Sequence, residues 1–518
     1  MESSLVWTIL TYSLYFMIAY LIYLFYLAIG KPFIFWFSYK KYKNVYTYPY
    51  FIPIFGDLWF HLQDMKNNKA HYMHKLEYAD EWNKCDLKVR NDGINCVLQC
   101  ISNKAIEEFV AHQPTKIDNI TEHRGITKAV PHGFINAQTT KKTFDRRKLF
   151  TSLLNMNRAS KMIPGMISRC SEDFKKIDQD KKLNFGIEMN NIIFNMFMNV
   201  LYGVEIMPIL AETRPFIMPD DTVEEVNFCE YLIRVTNAHV LQNFNPVTTL
   251  FPIINYYNLV QPYRRDYKNK VTLHAWFQKL VDNCVDENSV CKQVFKLEDF
   301  TYEEMFEDLV TIVVAGTETT SRTIISALFY LKKNPESLKL LVEDLNNHGF
   351  DKNFDFSKLN IDQILALEYL PLVIKEALRI DSPVVEVFNY YTYDNITICD
   401  VPIPKGTYIK LDLYAGHYNK DNWLTPRLFE PQRHNPDSEF YKEQINQGKK
   451  PHTYSRRSFG HGKRACPGQT LAILKIKIAL IYMLSNYSFD VDQALLDNEG
   501  AGFGAGSLIE PLYSIKSL

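Results

Sequence analysis

Residues Phe459 to Gly468 read FGHGKRACPG, and this stretch decides how the rest of the chain is understood. It places one cysteine, Cys466, in a loop rich in glycine and basic residues, just ahead of an apolar run from Leu471 to Leu484. A lone cysteine is ordinarily a small buried hydrophobe. Here Gly460, Gly462 and Gly468 permit sharp turns and close approach to a flat ligand. Pro467 suits the first position of a helix. Cys466 is therefore expected at a helix N-terminus, where unpaired N–H groups favour a thiolate, with Arg464 two residues away.

The pattern F-x-x-G-x-R-x-C-x-G, met by Phe459, Gly462, Arg464, Cys466 and Gly468, resembles the haem-binding loop of the cytochrome P450 family. The resemblance implies that the Cys466 thiolate is the axial ligand of haem b (iron protoporphyrin IX) and favours O–O cleavage. It implies that Arg464 contacts a haem propionate and that Phe459 packs near the sulfur.

Composition sets the bounds. The 518 residues are 47% hydrophobic and 23% charged, an ordinary globular balance with ample core. The net charge of −1 gives no global reason to expect nucleic acid. Nine cysteines at irregular spacing, with no C-x-x-C, argue against a disulfide framework or zinc ribbon. From Ser3 to Gly30 there is no charged residue. As a helix this run would span roughly 42 Å, enough to cross a hydrocarbon core of about 30 Å. Lys31, Lys40, Lys41 and Lys43 follow it, so the positive-inside rule places the remainder in the cytosol. The sequons at Asn119, Asn395 and Asn486 are then expected to stay unmodified. Residues 49–57 (PYFIPIFGD) resemble the family's proline-rich hinge. The expected division is an anchor over 1–30, a basic and proline-bearing linker over 31–57, and a catalytic domain over 58–518.

Turn residues Asn91-Asp92-Gly93 between two alternating runs predict a hairpin in a small β-rich lobe. Residues 139–155 (TTKKTFDRRKLFTSLLN) resemble the family's third major helix, with Arg147 a propionate contact, Arg146 its competitor, and Thr143 where tryptophan is common. The apolar, irregular stretch Asn243 to Val260 stands where the family caps its pocket and dips into the membrane.

Thr301-Tyr-Glu-Glu304 has the form of a capping box, and the helix it opens runs to Lys333 before Asn334-Pro335. Mid-helix lies Ala315-Gly316-Thr317-Glu318-Thr319-Thr320. Glycine there costs about 1 kcal/mol relative to alanine, so Gly316 is expected to admit a flat cofactor or dioxygen. Threonine hydroxyls can bond back to carbonyls and open the ladder to water. The segment matches the family's A/G-G-x-E/D-T-T motif, implying proton delivery by Glu318 and Thr319.

Glu376 and Arg379 (E-x-x-R) and Phe429-Glu-Pro431-Gln-Arg433 (F-x-P-x-R) resemble the family's buried network around the haem. Position 390 is tyrosine where a propionate arginine is common, so Tyr390 and His461 are candidate substitutes. Gln444 to Phe489 contains no acid and eight lysines and arginines: Lys449, Lys450, Arg456, Arg457, Lys463, Arg464, Lys475 and Lys477. This predicts a docking face for an acidic reductase. Gly500 to Gly506 (GAGFGAG) misses the G-x-G-x-x-G spacing and reads as a loop.

The expected fold is mainly α with a minor β lobe, a cytochrome P450 fold preceded by a single N-terminal transmembrane helix. The implied activity inserts one atom of dioxygen into an apolar substrate, a lipid, sterol or xenobiotic. Electrons would come from NADPH through a separate cytochrome P450 reductase, with cytochrome b5 as a second partner, at the endoplasmic reticulum. The alternatives are a reductase-independent peroxide isomerase or dehydratase, and a non-catalytic haem-binding sensor. Val313, Val314 and the segment Val384 to Phe388 are expected to line the pocket.

Overall fold

The computed structural model describes residues 2–67, 69, 79–82, 84–92, 94–120, 126–179, 181–242, 245–384, 390–504, 507 and 509–518. The helices that matter to the site are α1 (Glu2–Phe25), α2 (Lys141–Leu153), α3 (Ile163–Phe174), α4 (Phe185–Tyr202), α5 (Phe228–Gln242), α6 (Tyr263–Asn283), α7 (Tyr302–Lys333), α8 (Leu370–Ile380) and α9 (Gln469–Asn486). Six short strands form the β lobe: β1 (Val45–Tyr46), β2 (Leu87–Asp92), β3 (Asn95–Cys100), β4 (Ile117–Asn119), β5 (Tyr390–Thr392) and β6 (Tyr408–Leu411). Their order across the sheet is β1-β2-β3-β6-β5-β4. The mainly α fold with a minor β lobe stands as the sequence implied.

The apolar N-terminal run is helical and longer than expected. Val6–Tyr39 qualifies as one candidate membrane span, with none of its most apolar window buried. A π-turn at Tyr26–Gly30 carries the helix without a break into a further segment, Lys31–Tyr39. Pro32, which lacks an N–H to donate back into the preceding turn, falls directly after that π-turn.

Residues 31–57, expected as a linker, carry secondary structure of their own. After the helical part, β1 pairs in parallel with β2, Val45 opposite Leu87. Asp57 is buried and lies 3.7 Å from the Lys88 amine and 3.5 Å from the Arg90 guanidinium. Gly56 sits at φ +52, where a Cβ would strike the Asn91 carbonyl at 2.1 Å. Only glycine lets this strand edge close.

The predicted hairpin is present: β2 and β3 pair antiparallel with Asp92 opposite Asn95, while Gly93 lies outside the described residues. The predicted capping box also forms. Thr301 accepts from the Glu304 N–H at 3.3 Å, and Glu304 accepts from the Thr301 N–H at 2.9 Å. It satisfies two donors that a helix start otherwise leaves bare. Pairs α3–α4 and α4–α7, with α9 against both α3 and α7, enclose the main core, which includes Met189, Ile193, Phe197, Ile324, Leu328 and Leu480. Between Asn245 and Val260, two short helices (Pro246–Leu250 and Pro252–Tyr256) leave Ile253, Tyr256, Tyr257, Leu259 and Val260 exposed. The Phe251 ring there stands 6.5 Å from Tyr20 of α1.

Candidate active site

The cysteine loop is shaped by two residues in the left-handed region, Gly460 (φ +67) and Gly462 (φ +70). The Cys466 N–H donates to the Phe459 carbonyl at 2.8 Å and closes the loop. Phe459 packs against the main core, and a Cβ at Gly468 would stand 4.0 Å from the Cys466 sulfur. The helix begins two residues later than predicted. Gly468 is its N-cap and Gln469 its first residue, so Pro467 stands outside it. The anion-favouring arrangement survives, because the N–H groups of Gly468 and Gln469 still reach the sulfur. Burial nevertheless pushes the thiol above its usual range, against those donors and the nearby Arg147. Cys466 is at the same time accessible to water. Both hold for a side chain on the wall of a cleft: protein surrounds it, and one side stays open.

Two guanidiniums converge beside that loop. Arg147 is buried and donates to the Ala465 carbonyl at 2.8 Å. Arg464 donates to the carbonyls of Phe134 and Ile135 at 3.2 and 2.8 Å, and its buried Nη1 has no partner. Among the described residues, neither forms an ion pair with a carboxylate. Burial first, and Arg464 second, bring Arg147 down to about 10. Tyr390 is buried against both cations. Buried cations without a counter-ion are costly, and two ligand carboxylates would relieve this pair. The residues present therefore fit a group that brings two carboxylates to this pair beside Cys466.

The competition between Arg146 and Arg147 resolves by direction. Arg146 turns the other way and binds Asp308 of α7 through Nε at 2.7 Å and Nη2 at 2.5 Å. His461 carries a buried, unpartnered Nε2, and Thr143 is buried beside Thr140.

On α7 the threonines bond back to carbonyls as predicted: Thr317 to Val313 at 2.8 Å, Thr319 to Ala315 at 2.6 Å, and Thr320 to Gly316 at 2.9 Å. Ala315 is exposed although it lies mid-helix, and Thr319 one turn on shares its face. The Thr319 hydroxyl, its proton spent on a carbonyl, presents lone pairs to that open side. Glu318 does not join it. Its carboxylate lies 3.5 Å from Arg322, one turn further along.

Gly316 also meets a packing constraint. A Cβ there would meet the Phe197 ring of α4 at 2.5 Å. The glycine lets two core helices approach, and the position that opens a space is Ala315. Val313 likewise belongs to the core, fully buried, and does not line a pocket. Val384 is half-buried, and the rest of the expected lining segment, 385–389, lies outside the described residues.

The network implied by E-x-x-R and F-x-P-x-R is assembled and buried. Glu376 accepts from Arg379 at 2.7 and 2.8 Å, and from Arg433 at 2.9 Å. Arg379 continues to the carbonyls of His417 and Pro426, and Arg433 to those of Leu424 and Leu428. Sequence reasoning missed His434, whose Nε2 stands 2.9 Å from the second Glu376 oxygen. Its adjacency to Arg433 was the available signal. Burial pushes the Glu376 carboxyl up, but Arg379, His434 and Arg433 outweigh it and hold the group well below its ordinary value.

The basic stretch is thinner at the surface than its sequence suggests. Arg457, Lys475 and Lys477 are buried. Arg457 spends its guanidinium on the carbonyls of Tyr454, Asp412 and Ile101. Lys450, Arg456 and Lys463 remain exposed, with Lys449 half-exposed.

A family model described as Cytochrome P450 matches residues 48–513. Among curated proteins, cytochrome P450 3A17 of Cavia porcellus is 31% identical over 186 residues, 36% of this chain and 34% of that protein. Cytochrome P450 3A2 of Rattus norvegicus is 32% identical over 187 residues, again 36% and 34%. Probable cytochrome P450 313a1 of Drosophila melanogaster is 29% identical over 206 residues, 40% of each. The matched stretch spans about a third of the length of the two mammalian relatives.

Proposed function

The chain belongs to the cytochrome P450 family, and from that premise we propose that it is a membrane-anchored haem-thiolate monooxygenase acting on an apolar small molecule. The observation that carries this reading is the pair Arg147 and Arg464, which stand beside a lone thiol and, among the described residues, form no ion pair with a carboxylate. When bound, haem would supply the activation of dioxygen: one atom goes into a C–H bond of the substrate and the other into water, with NADPH oxidised through a partner.

Cys466 would hold the iron, its sulfur oriented by the N–H groups of Gly468 and Gln469. Arg147 and Arg464 would hold the propionates, with Tyr390 set between them in place of a third cation. Thr319 would pass a proton at its hydroxyl, since its open side accepts from water while its own proton rests on the Ala315 carbonyl. Glu318, restrained by Arg322 and adjacent to Thr319 in the chain, would feed that water from the neighbouring helix position. The Glu376, Arg379 and Arg433 network would keep the cysteine loop in register.

The anchor would cross the membrane of the endoplasmic reticulum with the remainder cytosolic. The exposed apolar residues at Ile253 to Val260, next to the Phe251 ring that approaches Tyr20 of α1, fit a body resting on the bilayer. Asn395 is the informative sequon because it is exposed, whereas Asn119 is buried. Lys449, Lys450, Arg456 and Lys463 would receive an acidic NADPH-dependent reductase, and cytochrome b5 is a second candidate for the same face.

Co-expression with a reductase tests the reading. Product should form only with NADPH and reductase, and reduced protein should give the thiolate-type carbon monoxide spectrum, lost in Cys466→Ser. Turnover of a peroxide without reductase would favour an isomerase, and haem uptake without any turnover a sensor.

A further inference from the structure

Lys475 lies on α9 with only 1% of its surface exposed. Lysine is almost never buried this far unless a carboxylate meets it. None does: its Nζ donates to the Gly316 carbonyl of α7 at 2.7 Å and stands 3.8 Å over the centre of the Phe197 ring. Burial alone brings its pKa to about 7, with no charge from a neighbouring element contributing. Of the acids on the helices packed around it, Glu318 pairs with Arg322 on α7 and Asp173 with Arg169 on α3, and neither these nor Glu188 of α4 meets the amine.

The carbonyl it takes is already in use. In the continuous helix α7 the Gly316 oxygen is the ladder acceptor for the Thr320 N–H, and the Thr320 hydroxyl also donates to it at 2.9 Å. A carbonyl has two lone pairs. A third donor, arriving from another helix, competes with the ladder in the turn that carries Glu318 and Thr319. The Phe197 ring that forbids a side chain at Gly316 also floors the Lys475 amine, so all three groups form one packed unit.

We propose that Lys475 is a positioning residue for the Glu318–Thr319 segment, drawing the Gly316 carbonyl off the helical ladder and loosening the turn through which water reaches Thr319. This rests on the reading of that segment as the proton route. Thr319 stays the group that handles the proton, and Lys475 acts through the backbone.

Amide hydrogen exchange on the haem-loaded full chain reads the ladder directly. Lys475→Met keeps the apolar stem and removes the donor. The Thr320 amide should then exchange about tenfold more slowly, the weight of one charge-assisted hydrogen bond. Lys475→Arg, which keeps a donor, should return that same amide to the native rate. The Met variant should also release more peroxide per NADPH oxidised, and the Arg variant should reverse this. Unchanged or faster exchange in the Met variant overturns the proposal, because a lysine that only fills space leaves the ladder untouched or weaker when removed. Should the Met variant fail to fold, Lys475→Gln, too short to reach the carbonyl, carries the same expectation and the same refutation. A chain without NADPH-dependent turnover whose exchange still slows would sink the monooxygenase reading and uphold the ladder effect.

Discussion

Arg147 donates its Nη2 to the carbonyl of Ala465, the residue immediately before Cys466, at 2.8 Å. A side chain midway along α2, 318 residues upstream, thus fixes the backbone at the thiol, and its charge is left for a ligand. Arg147→Ala should therefore lower haem per polypeptide sharply while circular dichroism stays native. Arg146→Ala should do the reverse. It strands Asp308, a carboxyl that burial already pushes up to about 7, and should cost about 1–3 kcal/mol of stability with haem affinity largely kept. Full haem content in Arg147→Ala would reject the assignment.

Glu376 makes acid stability diagnostic. Its folded pKa is depressed, so its contribution is complete above its unfolded value near 4.5 and is lost as pH falls through the folded value. His434 acts in the same sense at higher pH. Burial lowers it to about 4, so stability should begin to fall below its ordinary 6.5. Melting curves from pH 7 to pH 3 should decline in those two stages. Glu376→Gln should lose about 3–5 kcal/mol, because it leaves Arg379 and Arg433 buried without an anion. A variant with native stability would show that the network is dispensable.

Gly316→Ala separates two explanations for one glycine. If helix packing is the reason, the methyl group strikes Phe197 and costs about 1–3 kcal/mol. Phe197→Leu in the same chain should recover most of that loss. If cofactor room were the reason, the second change would recover nothing, and urea titrations of the four proteins decide between them.

Thr319→Ala should uncouple the reaction. NADPH consumption should continue while peroxide rises at the expense of product, since the open face keeps Ala315 but loses the hydroxyl. Thr319→Ser should stay close to native. Equal coupling in the alanine variant would remove the proton-handling role.

An exposed sequon reports on topology. Asn395 should carry no glycan in a eukaryotic host, and glycosidase treatment should leave its mobility unchanged. A glycan at Asn395 would invert the proposed orientation.

The parts of the site legible in the sequence were those whose chemistry is local. The cysteine loop, the capping box and the back-bonded threonines each depend on residues within one or two turns, so spacing reveals them. What spacing could not reveal was direction across the fold. Arg146 and Arg147 are neighbours, and only the register of α2 sends one to Asp308 and the other to Ala465. Gly316 looked like room for a ligand because its partner, Phe197, lies on another helix. Lys475 and Lys477 counted as surface charge because an apolar stem and an ammonium head give no sign of which end the fold covers. The anchor outran its expected end because a π-turn let Lys31 continue a helix that charge alone seemed to stop.

The order of strands in the β lobe sets a timetable for synthesis. β3 pairs with β2 as soon as residue 100 has emerged, but its other neighbour, β6, begins at Tyr408. At about 5–20 residues per second, the free edge of β3 waits roughly 15–60 s for that partner. The cysteine loop emerges later still. For that interval α1 is already made while the lobe still lacks β6, and for most of it β5 as well, an open edge that invites pairing with other chains. Truncations ending before Tyr408 should aggregate on release, whereas those ending after Leu411 should aggregate less.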